Sequence, residues 1–197
     1  MSPRSLDTGF SLLEVTFVLG LVAVCMTIAV PPIHSALEDF RTLGAVRYVS
    51  SRLQQTRMEA VVHSADAALR FEPDGSSYGY AVFLDGNGNG VRSSEIQTGI
   101  DREIHRKERL VDQFPGVEFG TLPDLPPVDP SAPAPGSDPI RVGSSNMLSF
   151  GALGTSTPGS LYILGRNGTQ YVIRVFAETG KTRTLRFDAR WRRWSPS

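Results

Sequence analysis

The chain has 197 residues, with 20 basic and 20 acidic side chains and a formal net charge of zero. Hydrophobic residues make up 40% and charged residues 20%, which excludes a disordered chain; the balanced charge excludes nucleic-acid binding driven by overall charge, though not by a local patch. The length suits one ordinary domain plus an appendage, since domains cluster near ~100–150 residues. The single cysteine, Cys25, forbids an intramolecular disulfide and, lying in an apolar run, is expected to be a buried packing residue. His34, His63 and His105 are widely spaced and lack cysteine partners. A structural zinc site needs four converging N or S ligands, so no metal or other cofactor is expected.

From Phe10 to Val30 the chain is apolar apart from one charge, Glu14. A membrane-spanning helix needs ~20 mostly apolar residues, so the run is long enough to span. The preceding residues are polar and include Arg4, which by the positive-inside bias places the N-terminus in the cytoplasm and the rest of the chain in the outer compartment. An ordinary signal peptide cleaved near His34–Ala36 is the alternative, but its apolar core runs only ~7–15 residues. Glu14 is the anomaly. A carboxylate inside a bilayer segment costs about 2.5–3.5 kcal/mol and is retained where a positive partner offsets that cost.

Gly9-Phe10-Ser11-Leu12-Leu13-Glu14 resembles the cleavage and assembly motif of type IV pilins and type II secretion pseudopilins. The resemblance implies that a prepilin peptidase in the membrane cuts after Gly9 and methylates the new N-terminal amine of Phe10. Counted from Phe10, Glu14 is the fifth mature residue, and the resemblance implies that it pairs with the amine of a neighbouring subunit during assembly. The leader departs from the family in that Asp7 offsets Arg4.

Pro31-Pro32 follows the apolar run, and proline removes a helical hydrogen bond and clashes with the preceding turn. Beyond it, Leu37, Phe40, Leu43, Val46, Val49 and Leu53 recur at the three- and four-residue spacing of an amphipathic helix. The expectation is one helix from about Phe10 to His63, weakened at the prolines. Residues 1–9 are then a leader, 10–33 the transmembrane part, 34–65 its amphipathic continuation and 66–197 a β-rich globular domain.

Strands are predicted at 68–71, 78–84, 100–111, 116–119, 146–150, 160–164, 170–176 and 182–187, with Pro73-Asp74-Gly75 and Gly165-Arg166-Asn167-Gly168 as turns. Residues 122–139 hold seven of the fourteen prolines and read as an exposed loop, because proline cannot donate to a sheet ladder. The fold class is α+β, a long N-terminal helix packed on mostly antiparallel sheet. The stretches FLDGNGNG, FGALGTSTPGSLYI, YVIRVF and TGKTRTLRF resemble the GspH/FimT family of minor pseudopilins and pilins.

Asp85, Asn87 and Asn89 match the first half of a calcium loop, but its twelfth position is Ile96, with Glu95 one residue early, so a glycine-rich hairpin turn is the preferred reading. No helix pattern follows these glycines, which removes a dinucleotide-binding reading. No catalytic motif is present, and no enzyme activity is expected. Residues 180–197 carry Lys181, Arg183, Arg186, Arg190, Arg192 and Arg193 with Trp191 and Trp194. Gly180-Lys181-Thr182-Arg183 resembles a sequence that some FimT-like pilins use to touch DNA, making Lys181 and Arg183 the candidate DNA contacts; the alternative is a solvated edge hairpin. The expected function is a minor pseudopilin of type II protein secretion, or alternatively a DNA-binding minor type IV pilin. Its expected partners are the prepilin peptidase, the inner membrane and other pilin or pseudopilin subunits, with the C-terminal domain in the periplasm.

Overall fold

The computed structural model describes residues 11–75, 77–129 and 132–197. Gly9 and Phe10, the expected cleavage pair, lie outside the described residues. The chain divides into two compact units, 1–37 and 38–197.

Helix α1 (Leu12–His63) begins in the first unit. It runs through Pro31-Pro32, so the prolines do not end it. Every described side chain from Ser11 to Leu37 is exposed, including Cys25, which corrects the expectation of a buried cysteine. An apolar helix cannot bury its side chains on itself; whatever covers this one comes from outside the unit.

The second unit is built on the rest of α1. Thr42, Ala45, Val46, Val49, Leu53, Thr56 and Ala60 are almost fully buried and follow three- and four-residue spacing, which puts them on one face. That face differs from the predicted stripe at its start: Leu37 and Phe40 are exposed, and Thr42 and Ala45 take the inward positions. Small side chains there let the sheet come close. Gly44 and Gly165 serve the same approach: a Cβ on Gly44 would lie 3.2 Å from the Phe114 ring, and one on Gly165 would collide with the Thr42 hydroxyl.

The remaining elements are β1 (Ala67–Asp74), β2 (Ser77–Leu84), α2 (Ser93–Thr98), β3 (Arg102–Arg109), α3 (Leu110–Gln113), β4 (Val117–Phe119), β5 (Ile140–Val142), β6 (Met147–Phe150), β7 (Gly159–Gly165), β8 (Gln170–Val175), β9 (Thr182–Asp188) and β10 (Arg193–Pro196). All pairings are antiparallel. One sheet has the order β3-β2-β1-β6 and the other β10-β9-β8-β7-β4, with β5 also on β7. Inward residues of both sheets, among them Leu69, Phe71, Val82, Leu148, Phe150, Leu161, Ile163 and Ile173, form one core with the buried face of α1. Phe71, Tyr80 and Phe119 meet edge-on or tilted with centroids 5.5–6.0 Å apart, the geometry aromatic quadrupoles prefer. The architecture is thus the expected α+β one.

β1 runs on through Pro73 and Asp74 of the expected turn, β5 adds a strand outside the predicted string, and three further stretches depart from it. The 100–111 segment is strand only over Arg102–Arg109 and then turns into α3. Its edge carries charge, but Glu108 points inward, accepting from Tyr48 (2.6 Å) and Tyr80 (3.2 Å) and pairing with Arg52. The DGNGNG segment is not a tight hairpin turn, because α2 lies between it and β3. The proline-rich stretch has no strand among its described residues, yet it is not a free loop. Leu125 is buried with Tyr162, Val172 and Leu185 on the outer face of the second sheet, and Trp194 closes the cluster. The Trp194 indole N–H donates to the Pro126 carbonyl (3.0 Å) and Arg192 to that of Asp124 (2.8 Å). The tail therefore folds as β10 and clamps the loop.

Candidate functional site: the apolar helix and the basic hairpin

The apolar half of α1 satisfies its own polar atoms, with one exception. The hydroxyls of Thr16 and Thr27 donate to the carbonyls of Leu13 and Ala23, each at 2.9 Å. That is the arrangement required where no water is available. The Ser11 hydroxyl accepts the Leu13 N–H (3.3 Å) at the helix start. Glu14 sits in the first turn, where the helix dipole favours an anion, but among the described residues it has no hydrogen bond or ion pair. The one described helix long and apolar enough to cross a membrane thus carries a carboxylate without a partner near its start. Chemically, this is a segment long and apolar enough to enter a bilayer whose one carboxylate has no cation beside it among the described residues.

The Asp85 loop is closed by its own backbone. Asp85 Oδ1 accepts the N–H groups of Asn87 and Gly88, both at 2.9 Å, and Oδ2 accepts that of Gly90 at 2.7 Å. Burial pushes the Asp85 carboxyl up, but the backbone donors outweigh it and hold it below the usual carboxylate range. Asn87 Oδ1 accepts the Asn89 N–H (3.3 Å), and Asn89 donates to Glu95 (2.8 Å). Asp101, buried and not singled out by motif, braces the same loop by accepting from Gly86 (3.2 Å) and Arg92 (2.7 Å). No sequence pattern marks Asp101, because its partners are backbone groups far along the chain.

The basic residues of the tail do not all share one face, although Lys181 and Arg183, two residues apart, are both exposed. Lys181 lies exposed in the β8–β9 turn, its N–H on the Thr179 hydroxyl (3.3 Å). Arg183 is exposed on β9 opposite Arg174, which pairs with Asp129. Strand alternation puts Arg183 on the face of Leu185 and Phe187, whereas Arg186 points the other way, 3.7 Å from Asp39 and over the Tyr171 ring. The Thr169 hydroxyl and Asn167 amide, and then Arg186, hold the Asp39 carboxyl below its usual range against a modest burial effect. Arg190 lies over Trp191, and Arg192 is spent on Asp124. Gly180 is required locally: its φ is +59°, and a Cβ would lie 2.8 Å from the Gly154 carbonyl oxygen.

No protein-family model matches the chain. The pilin-like protein PilA1 of Thermus thermophilus is 32% identical over 84 residues, 41% of this chain and 50% of that protein. The chain is similar to a pilin-like protein. It spans about half the length of that curated relative. Two solved structures of the minor pseudopilin EpsH from the type 2 secretion system of Vibrio cholerae superpose with TM-scores of 0.43. They are 16% and 17% identical, covering 73% and 75% of this chain and 94% of each EpsH chain.

Proposed function

We propose that the protein is a pilin-like structural subunit, anchored by a single N-terminal helix in the inner membrane and assembled with other pilin or pseudopilin subunits. The observation that carries this reading is Glu14, a carboxylate in the first turn of α1 that has no partner among the described residues and lies in a stretch, Leu12–Ala29, that is otherwise uncharged and exposed. A buried ion pair leaves no uncompensated charge only when its partner is present. A neighbouring subunit's N-terminal amine, freed by prepilin peptidase cleavage between Gly9 and Phe10 and methylated, supplies that partner. The continuation of the same helix into an antiparallel β domain and the local likeness to a pilin-like protein support it, and on this reading that domain faces the periplasm.

Within that class, the reading is a minor pseudopilin of type II protein secretion. The dispersal of the basic tail supports secretion over nucleic-acid contact: Arg183 and Arg186 lie on opposite faces of β9, and Arg192 is engaged with the proline-rich loop. The experiment is deletion of the gene in its host. Loss of exoprotein secretion, restored by the wild-type chain, is the expected result; intact secretion with lost DNA uptake would transfer the protein to the pilus role.

A further inference from the structure

Toward the end of α1, Arg57 projects into a cradle made by two loops. Gly154, after β6, has φ +84°, and a Cβ there would lie 3.0 Å from Arg57 Nη2. Gly180, in the β8–β9 turn, would place a Cβ 3.1 Å from Arg57 Nε. Both glycines hold left-handed backbone that side chains disfavour, so the guanidinium lies against bare main chain. Its Nε is buried and has no hydrogen-bond partner, and among the described residues Arg57 enters no ion pair. Asp66 faces Gly90 and Gly151 instead. A partly buried guanidinium without a counter-charge is costly; a carboxylate arriving from outside meets its terminal nitrogens, since Nε is closed off by the two glycines, and makes charge-assisted bonds there.

The surroundings specify what carries that carboxylate. Leu153, next to Gly154, is 96% exposed. Met58 is 61% exposed, and Val61, one turn along the helix from Arg57, is 46% exposed. Single exposed apolar residues are ordinary, but an apolar group around an unpaired cation marks an interaction surface. A nucleic-acid phosphate offers the anion and nothing for Leu153 or Met58 to pack on. A protein segment offers both.

We propose that Arg57, Met58, Val61 and Leu153 form a docking surface for another filament subunit, whose Asp or Glu carboxylate, flanked by apolar side chains, seats on the Arg57 guanidinium. The inference rests on the filament reading above. The test uses the full chain in its host, with photoreactive p-benzoylphenylalanine at Leu153 or, separately, at Val18, which lies in the apolar half of α1. Both positions are expected to crosslink to other subunits. Peptide mapping should place the Leu153 adduct beside an Asp or Glu with apolar neighbours, on a protein with its own N-terminal apolar helix. Arg57→Gln should lower the Leu153 yield about tenfold, as expected for a charged hydrogen bond, and leave the Val18 yield unchanged. Should Arg57→Gln depress both yields through misfolding, Met58→Ser, at an exposed site, decides: it should lower the Leu153 yield alone. The proposal is overturned if Val18 crosslinks and Leu153 does not, if the Leu153 adduct is on DNA, lipid or a segment without a carboxylate, or if the deciding variant leaves its yield unchanged. Loss of both crosslinks in the unsubstituted background removes the filament reading, and this inference with it.

Discussion

The two halves of α1 use the same backbone for opposite purposes. In Leu12–Ala29 every side chain is exposed and nearly all are apolar, and the hydroxyls turn back on the helix's own carbonyls. From Thr42 to Ala60 only one face is apolar and small, and it is sealed against two sheets. An all-round apolar helix belongs in a non-aqueous surrounding, whereas a striped one belongs on a core. The first half therefore depends on a surrounding outside its own unit, and the second on the sheets packed against it.

Substitutions in the two halves should therefore fail in different assays. Glu14→Val removes a cost of insertion and should leave membrane fractionation intact, while recovery in sheared filaments falls at least tenfold, given the about 3–5 kcal/mol attached to breaking a buried pair. Normal recovery would end the pairing role. Leu53→Ala, at a fully buried position, should cost about 2–5 kcal/mol in denaturant unfolding of the detergent-solubilised chain. Leu19→Ala in the exposed half should leave that transition where it was. Equal effects of the two would erase the distinction between the halves.

Smaller changes sharpen the packing side. Gly165→Ala forces a methyl group onto the Thr42 hydroxyl and should cost about 1–3 kcal/mol, as overpacking does; Thr42→Ser, which keeps the hydroxyl, should not rescue it, while Thr42→Gly should. The smallest effect is a pH dependence. The Asp85 carboxyl is held below its ordinary value in the folded chain, so its contribution is present above the unfolded pKa of ~3.9 and is lost as pH falls through the lower folded value. Acid unfolding curves of the wild type and Asp85→Asn should converge below that window and separate above it, the variant being the less stable at neutral pH. A constant separation at all pH values would mean that Asp85 acts by shape alone.

Much of this was legible in the residues. The apolar run, its lone carboxylate and the helix end near His63 follow from composition and spacing, and β2, β8 and β9 from β-branched and aromatic residues between turn signals. What was missed depended on partners distant in sequence. Ile140–Val142 is a three-residue strand directly after the prolines, too short to show a period. β10 carries charges and a tryptophan and becomes a strand only because β9 and the proline-rich loop receive it. Helix α2 buries no residue, so it has no apolar pattern to read. Phe40 looked like a core position by spacing, yet Thr42 and Ala45 take the inward face because the close approach at Gly165 and Gly44 leaves room only for small groups. Of the site residues, Glu14 was visible as a charge out of place; Arg57 and Asp101 were not, since the groups that define them are glycines and backbone amides in other segments.

Processing as a pilin-like subunit is read out by mass spectrometry of the N-terminal peptide of the protein isolated from its native membrane. The expected result is a mature N-terminus at Phe10 carrying one methyl group on its amine, with Glu14 as the fifth residue of that peptide. A mature N-terminus near Ser35, downstream of the whole apolar run, would contradict it.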